Sequence, residues 1–377
     1  MLRQHSTQFS LRGPRIMEAK PSAPFRMRHD TPEFSLIADA LTGNPGPPPC
    51  PDWDWDQTVA IAAREEVLPT LAGKLSCPPG MSDFFEAIHE LNAKRNRQLI
   101  GEIETLALLL NQAGIEPVLL KGSAYLVTGV YCDPADRWLQ DIDFLICEGD
   151  SSRACEIIRR AGYESYVKSP IALLLHHHPV LVQVHRVPVE IHHSLGRGRC
   201  RAILTADEMV KGSTGVRLGR AAVRIPSPEH LMTHLIMHSQ LQHGPYCRIW
   251  PTLRNMLDVV LVARRFTIDW DAIRGRFRGH GNTSLLNLHL MQIEKTLRFP
   301  PPFPLAVGGV RWLYRRALWR EPRLRYVDPL FTFSRLVLPR VRLSWQLLKD
   351  PVGRQFVRSR LFRLNFYKRL FAEFVDG

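Results

Sequence analysis

The fold is decided by residues 117–147, PVLLKGSAYLVTGVYCDPADRWLQDIDFLIC. Its apolar start, Val118–Leu120, predicts a short buried strand that ends at Lys121-Gly122-Ser123. The next residues, Ala124 to Val127, are typical of the start of a helix. A strand, a glycine turn and a helix start direct backbone N–H groups towards an anion, and Lys121 adds a full positive charge. This part of the stretch therefore predicts a phosphate-binding turn.

A second strand is predicted at the end of the same stretch, where Asp141 and Asp143 alternate with the apolar residues Ile142 and Phe144. Side chains two residues apart on a strand face the same side, so the two carboxylates project together. Neighbouring carboxylates repel each other unless a proton or a cation lies between them. Mg²⁺ prefers carboxylate oxygens and leaves room for substrate phosphates. The Asp pair therefore predicts a metal site beside the phosphate-binding turn.

These motifs resemble the uncharacterised nucleotidyltransferase family of the DNA polymerase β superfamily. The resemblance rests on Leu-Lys-Gly-Ser at 120–123, then Tyr131, Asp133-Pro134, Arg137 and Asp-Ile-Asp-Phe-Leu-Ile at 141–146. It covers roughly residues 84–260. Members of that superfamily carry a third carboxylate on a later strand, and Glu190 is the candidate here because residues 187–193 alternate as a strand does.

The resemblance implies an α+β fold: a small mixed β-sheet core flanked by N-terminal helices and a C-terminal all-helical region. It also implies a transferase that uses Mg²⁺ or Mn²⁺ to move an NMP from an NTP, ATP included, to a hydroxyl acceptor with release of pyrophosphate. The acceptor is left open between a small molecule, a peptide or protein, and RNA. The expected catalytic and metal-binding residues are Asp141, Asp143 and Glu190, and the expected nucleotide-binding residues are Lys121, Gly122, Ser123, Arg137 and His238.

Other interpretations compete with this one. A protein that keeps the fold without catalysis would bind nucleic acid or a protein partner, but three retained acids argue against it. His230, His234 and His238 recur every four residues and share a helix face, so a zinc site on His234 and His238 is conceivable. The absence of His-Glu-x-x-His and of a cysteine pair favours a structural role instead. Asp258 matches a family acid, and we expect a buried residue that pairs helices.

The chain divides into five predicted regions. Residues 1–33 lack periodicity and predict disorder. Residues 34–115 predict a helical region, 116–226 the catalytic core, 227–299 a helical domain and 305–377 a basic amphipathic tail. Within the long helix predicted for Ser82–Ala113, Ser82 is the expected N-cap. Asn92, Arg95 and Asn96 interrupt its apolar stripe, which predicts partial exposure there.

Composition sets limits on the partners. The 377 residues carry a net charge of +14, which favours an anionic partner. Residues 311–370 hold sixteen Lys and Arg against three acids, so RNA, an anionic surface or plain solvent could face the tail. Seven scattered cysteines without a Cys-x-x-Cys pair predict reduced thiols and a cytoplasmic location. No apolar run predicts a transmembrane segment.

Overall fold

The computed structural model describes residues 31–43, 50, 52–166, 177–196, 199–242, 251–306, 308 and 310. Of the predicted disordered segment 1–33, residues 1–30 lie outside the described residues, whereas the prediction is wrong for residues 31–33, which form the cap and first turn of a helix. Of the predicted basic tail 305–377, residues 311–377 lie outside the described residues. None of the described helices is long and apolar enough to cross a membrane.

A seven-stranded mixed sheet forms the centre of the described chain. Its spatial order is β3-β4-β5-β2-β1-β7-β6. The β2–β5 and β1–β7 pairs are parallel, and the other neighbours are antiparallel. The α+β prediction is confirmed. The strands are β1 (Val118–Leu119), β2 (Ile142–Leu145), β3 (Glu164–Tyr166), β4 (Val180–Val182), β5 (Val189–His192), β6 (Ser213–Leu218) and β7 (Ala221–Pro226).

The central strands lie inside the molecule and the outer strands do not. Every residue of β1 and β2 is buried, which explains why all of them except Asp143 are apolar. Edge strand β6 instead exposes Thr214, Gly215 and Arg217, so it lacks the apolar pattern on which strand prediction depends. The β6–β7 turn is held by the Glu104 carboxylate, which accepts a hydrogen bond from the Arg220 backbone N–H.

Three helices precede the sheet: α1 (Pro32–Thr42), α2 (Trp55–Arg64) and α3 (Pro79–Gln112). Thr31 caps α1, and Gly43 ends it with a φ of 78°, a conformation that glycine adopts without strain. The predicted start of α3 at Ser82 is wrong. Consecutive prolines at 78 and 79 begin this helix instead, since proline is favoured at the first helical position and its missing N–H costs nothing there.

The predicted exposure in the middle of α3 is also wrong. Asn92 and Asn96 are buried, and their side-chain amides donate to backbone carbonyls of the loop that precedes β2. Asn92 bonds the carbonyls of Ala135 and Arg137, and Asn96 bonds those of Pro134 and Arg137. The polar interruption of the apolar stripe is therefore a docking site for residues 134–137.

Four further helices belong to the core region, and four follow it. The first set is α4 (Lys121–Thr128), α5 (Glu148–Arg160), α6 (Arg199–Ile203) and α7 (Ala206–Lys211). The second set is α8 (Pro228–Met237), α9 (Leu253–Arg265), α10 (Trp270–Gly279) and α11 (Thr283–Leu297). The Ser227 hydroxyl caps α8, as its sequence predicts. Buried apolar residues from Phe34 to Leu297 form one contiguous cluster, so the helices on both sides share a core with the sheet.

We predict that Asn96→Ala lowers the free energy of unfolding by about 1–3 kcal/mol, because it removes two buried hydrogen bonds, one each to the carbonyls of Pro134 and Arg137. Urea unfolding followed by circular dichroism measures the change. The matched control is Gln98→Ala, an exposed amide on the same helix. Equal stability of the two variants would contradict a docking role for Asn96.

Candidate active site

The parallel pairing of β2 with β5 brings two acids together. Asp143 lies directly opposite Glu190 in the strand register, and Ile142 lies opposite Val189. Residues opposite each other on neighbouring strands project to the same face, so both carboxylates point to one side of the sheet. Asp141 immediately precedes β2 and lines the same cavity as the other two acids.

Lys121 and His192 compensate the buried Asp143 carboxylate, which is only 2% exposed. Lys121 Nζ lies 2.8 Å and His192 Nε2 lies 2.7 Å from Asp143 Oδ1. Burial by itself would raise the pKa of Asp143, but the charge of Lys121 and the hydrogen bond from His192 outweigh it and hold this pKa well below its ordinary value. Asp143 is therefore an anion without any bound metal.

His192 was missed by sequence analysis. Its Nε2 lies 3.3 Å from Glu190 Oε2, and the ligand atoms of Asp143, Glu190 and His192 all lie within 4.8 Å of one another. Burial lowers the pKa of His192, but its bonds to the two acids raise it above the ordinary value overall. Burial likewise raises the pKa of Glu190, and the bond from His192 brings it below the ordinary value. The signal was available, because His192 follows Glu190 by two residues on one strand.

Asp141 has the opposite electrostatic character. The negative charge of Asp143 and then burial raise the pKa of Asp141 to about 7. Lys121 opposes this rise only in part. A carboxylate that is this costly to ionise favours the approach of a cation, because a cation relieves the repulsion from its neighbour.

The predicted phosphate-binding turn lies at the start of α4. Lys121 has a φ of 48°, which is uncommon for a residue with a side chain. Gly122 packs against Leu139, whose Cγ would lie 2.9 Å from an added Cβ. Ser123 is fully buried, and its Oγ accepts a hydrogen bond of 3.3 Å from the Asp143 backbone N–H. The serine hydroxyl therefore holds the turn against β2.

Arg137 has a partner that the sequence did not indicate. Its Nε lies 2.9 Å from Asp258 Oδ1 and its Nη2 lies 2.9 Å from Asp258 Oδ2, and it also donates to the Trp138 carbonyl. Tyr131 donates a third hydrogen bond to Asp258, at 2.6 Å. Asp258 is buried as expected, but it joins α9 to the loop before β2 rather than to another helix. The Arg137 guanidinium is thus already occupied by a carboxylate.

A cavity of about 410 Å³ opens at these acids. Of the eight residues predicted for the site, all but Ser123 line it. His238 lies at the end of α8, and its ring meets that of His234 edge to face with centroids 6.1 Å apart. Within the described ranges, the only group of three or more potential metal ligands is Asp143, Glu190 and His192, so the zinc interpretation of His234 and His238 gains no third ligand. The lining also includes Glu66, Gln140, His177, Arg254 and Asn255, which sequence analysis did not select.

We predict that Asp258→Asn lowers the free energy of unfolding by about 3–5 kcal/mol, since it leaves the buried Arg137 charge without its anion. Urea unfolding at neutral pH measures the loss. Asp271→Asn is the matched control, because that carboxylate lies on α10 with its side chain 88% exposed. A loss no greater than that of the control would contradict the importance of the ion pair.

We predict that Asp141→Asn stabilises the protein at pH 8 in the absence of divalent cations. Folded Asp141 retains its proton up to about pH 7, whereas the unfolded residue loses it near pH 4. The folded state then binds more protons between these values, so the Asp141 contribution to stability falls as pH rises. The gain in the variant should reach the order of a few kcal/mol at pH 8 and vanish near pH 4. Urea unfolding across this range measures it, with Asp271→Asn as the control because that side chain is 88% exposed; a gain that is independent of pH would contradict the assignment.

Comparison with known proteins places the chain in a family. A family model described as an uncharacterised nucleotidyltransferase matches residues 51–298, which include every strand of the sheet and every predicted site residue. Comparison with curated proteins gives no match. Since the family model covers about two thirds of the 377 residues, the chain belongs to the uncharacterised nucleotidyltransferase family.

Proposed function

We propose that the protein transfers an NMP from an NTP to a hydroxyl group of an acceptor and releases pyrophosphate. The observation that carries this proposal is the register of β2 and β5, which sets Asp143 opposite Glu190 in the wall of a cavity that Lys121 and Gly122 also line. Membership of a nucleotidyltransferase family supports the same activity and implies the use of an NTP and a divalent metal.

The donor groups fit a divalent cation. Asp143 and Glu190 offer carboxylate oxygens and His192 offers an imidazole nitrogen, all within 4.8 Å of one another. Carboxylates suit Mg²⁺ and Mn²⁺, and Asp141 adds a fourth donor on the same cavity wall. Divalent cations held by these acids, two in the mechanism we propose, would neutralise the triphosphate and polarise the acceptor hydroxyl.

The reaction is an in-line displacement that asks the protein for positioning and charge compensation. The acceptor oxygen forms a bond to the α-phosphorus, and the bond from that phosphorus to the β-phosphate oxygen breaks. We assign Glu190 to take the acceptor proton, because it is the more accessible of the two acids, with a side chain 17% exposed against 2% for Asp143. Lys121 and the backbone of Gly122 face the cavity at the start of α4, where they hold the departing phosphates.

Several further assignments belong to the proposal. Ser123 supports the turn through its bond to β2, and we assign phosphate contact there to backbone N–H groups. His238 lines the cavity and can contact nucleotide or acceptor. A cytoplasmic location agrees with the five free cysteines found among the described residues. The proposed RNA or anionic partner of residues 305–377 rests on their charge in the sequence alone.

We predict that Asp143→Asn and Glu190→Gln each lower nucleotide transfer by at least about 100-fold, because charge stabilisation at the reacting phosphate is lost. The protein is incubated with each labelled NTP, Mg²⁺ or Mn²⁺ and a cell extract, and transfer of label and release of pyrophosphate are measured. Glu164→Gln is the control, since this acid is exposed on edge strand β3 of the same sheet.

Transfer by either site variant at the rate of the control would contradict the mechanism. Binding of NTP without transfer of label in any reaction would instead favour the alternative of a non-catalytic protein that keeps the fold.

A further inference from the structure

Arg254 lies on the cavity wall in the first turn of α9, away from every motif that the sequence singled out. Its Nη1 lies 3.0 Å from Glu66 Oε2, and its Nη2 donates a longer bond of 3.3 Å to Asn255 Oδ1. Its Nε is buried and makes no hydrogen bond. The guanidinium therefore has donor capacity that the protein does not use.

Arg137 and Arg254 differ in their ability to take a new anion. The Arg137–Asp258 pair is bidentate, and its side chains are 6% and 1% exposed. The Arg254–Glu66 pair is joined by a single close contact, and its side chains are 19% and 17% exposed. To exchange one anion for another, an arginine must be accessible and must lose few existing bonds. Arg254 meets both requirements better than Arg137 does.

The backbone around this pair fixes its position. The Arg254 N–H donates to the Glu65 carbonyl at 3.2 Å, and the Leu253 N–H donates to Glu65 Oε2 at 3.1 Å. Glu66 follows with a φ of 60°, a conformation that persists in a residue with a side chain only where its surroundings hold it. Gln140 donates a 2.9 Å bond to Glu66 Oε1. Glu66 is therefore held in place beside Arg254 on the cavity wall.

We propose that Arg254 binds the β- and γ-phosphates of the triphosphate and exchanges its contact with Glu66 for them. This inference rests on the proposed function, since it names the residue that recognises the end of the NTP. A guanidinium binds phosphate oxygens through two parallel N–H groups, and the two Nη groups of Arg254 provide such a pair once Nη1 leaves Glu66. Arg137 then supports the site by fixing α9 to the loop before β2.

The test uses inorganic tripolyphosphate with Mg²⁺ as the probe, because it carries the phosphate chain without base, sugar or reaction. Isothermal titration calorimetry on the full chain should show that Arg254→Gln binds about 10- to 100-fold more weakly than wild type, as expected for loss of a charged hydrogen-bonding group. Arg264→Gln, an exposed arginine on the same helix, should bind as wild type does. Equal affinity of Arg254→Gln and Arg264→Gln would overturn the proposal.

Glu66→Gln gives a second test of the proposed exchange. Releasing the guanidinium from its carboxylate should tighten tripolyphosphate binding several-fold. This variant decides the matter if Arg254→Gln fails to fold, and unchanged or weaker binding would overturn the proposal. Probe binding is measured independently of catalysis. Absence of nucleotide transfer by the wild-type protein would refute the proposed function alone. If transfer is lost in Asp143→Asn but Arg254→Gln and Arg264→Gln bind the probe equally, only the inference about Arg254 is refuted.

Discussion

The parallel pairing of β2 with β5 is the constraint on which the site depends. It fixes Asp143 beside Glu190, and because side chains alternate along a strand, it also places His192 beside both acids. A shift of one residue in this register would turn Glu190 and His192 to the opposite face and leave Asp143 without either neighbour. The buried apolar residues of both strands enforce the register, since the same shift would expose them.

Burial of several acids in one place is unfavourable, and the fold gives these acids unequal amounts of charge compensation. Asp143 receives Lys121 and His192 as direct partners and is stable as an anion. Asp141 receives much less compensation, so its pKa rises towards neutrality. The protein thus keeps one acid permanently charged and leaves its neighbour in repulsion with it. Such a pair gives up stability in the free protein and gains attraction for a cation, which is the balance expected of a site made for binding.

The periodicity of the sequence was sufficient to predict strands and helices, but it was insufficient to predict which side chains contact each other. Alternation along single strands predicted that Asp141 and Asp143 share a face, and the same alternation over residues 187–193 placed His192 on the face of Glu190, although His192 was not selected as a site residue. The predicted phosphate contact of Arg137 did not foresee Asp258, because an ion pair across 121 positions depends on tertiary packing that no local pattern encodes. The predicted exposure at Asn92 and Asn96 failed for the same reason. A polar interruption of an apolar stripe indicates an exposed surface unless the loop that packs against it is known.

The site also depends on residues that lie far outside the predicted core in the sequence. Glu65 accepts hydrogen bonds from the first turn of α9, and Glu66 contacts Arg254 in that turn, so residues that follow α2 determine where one wall of the cavity lies. Glu65 is completely buried, and a carboxylate at a helix N-terminus is stabilised by unpaired backbone N–H groups there. The N-terminal helices, the sheet and the C-terminal helices therefore meet at one cavity and share one apolar core. A sheet isolated from these helices would retain its acids but would lack the wall that carries Arg254, which argues that the working unit comprises all three regions.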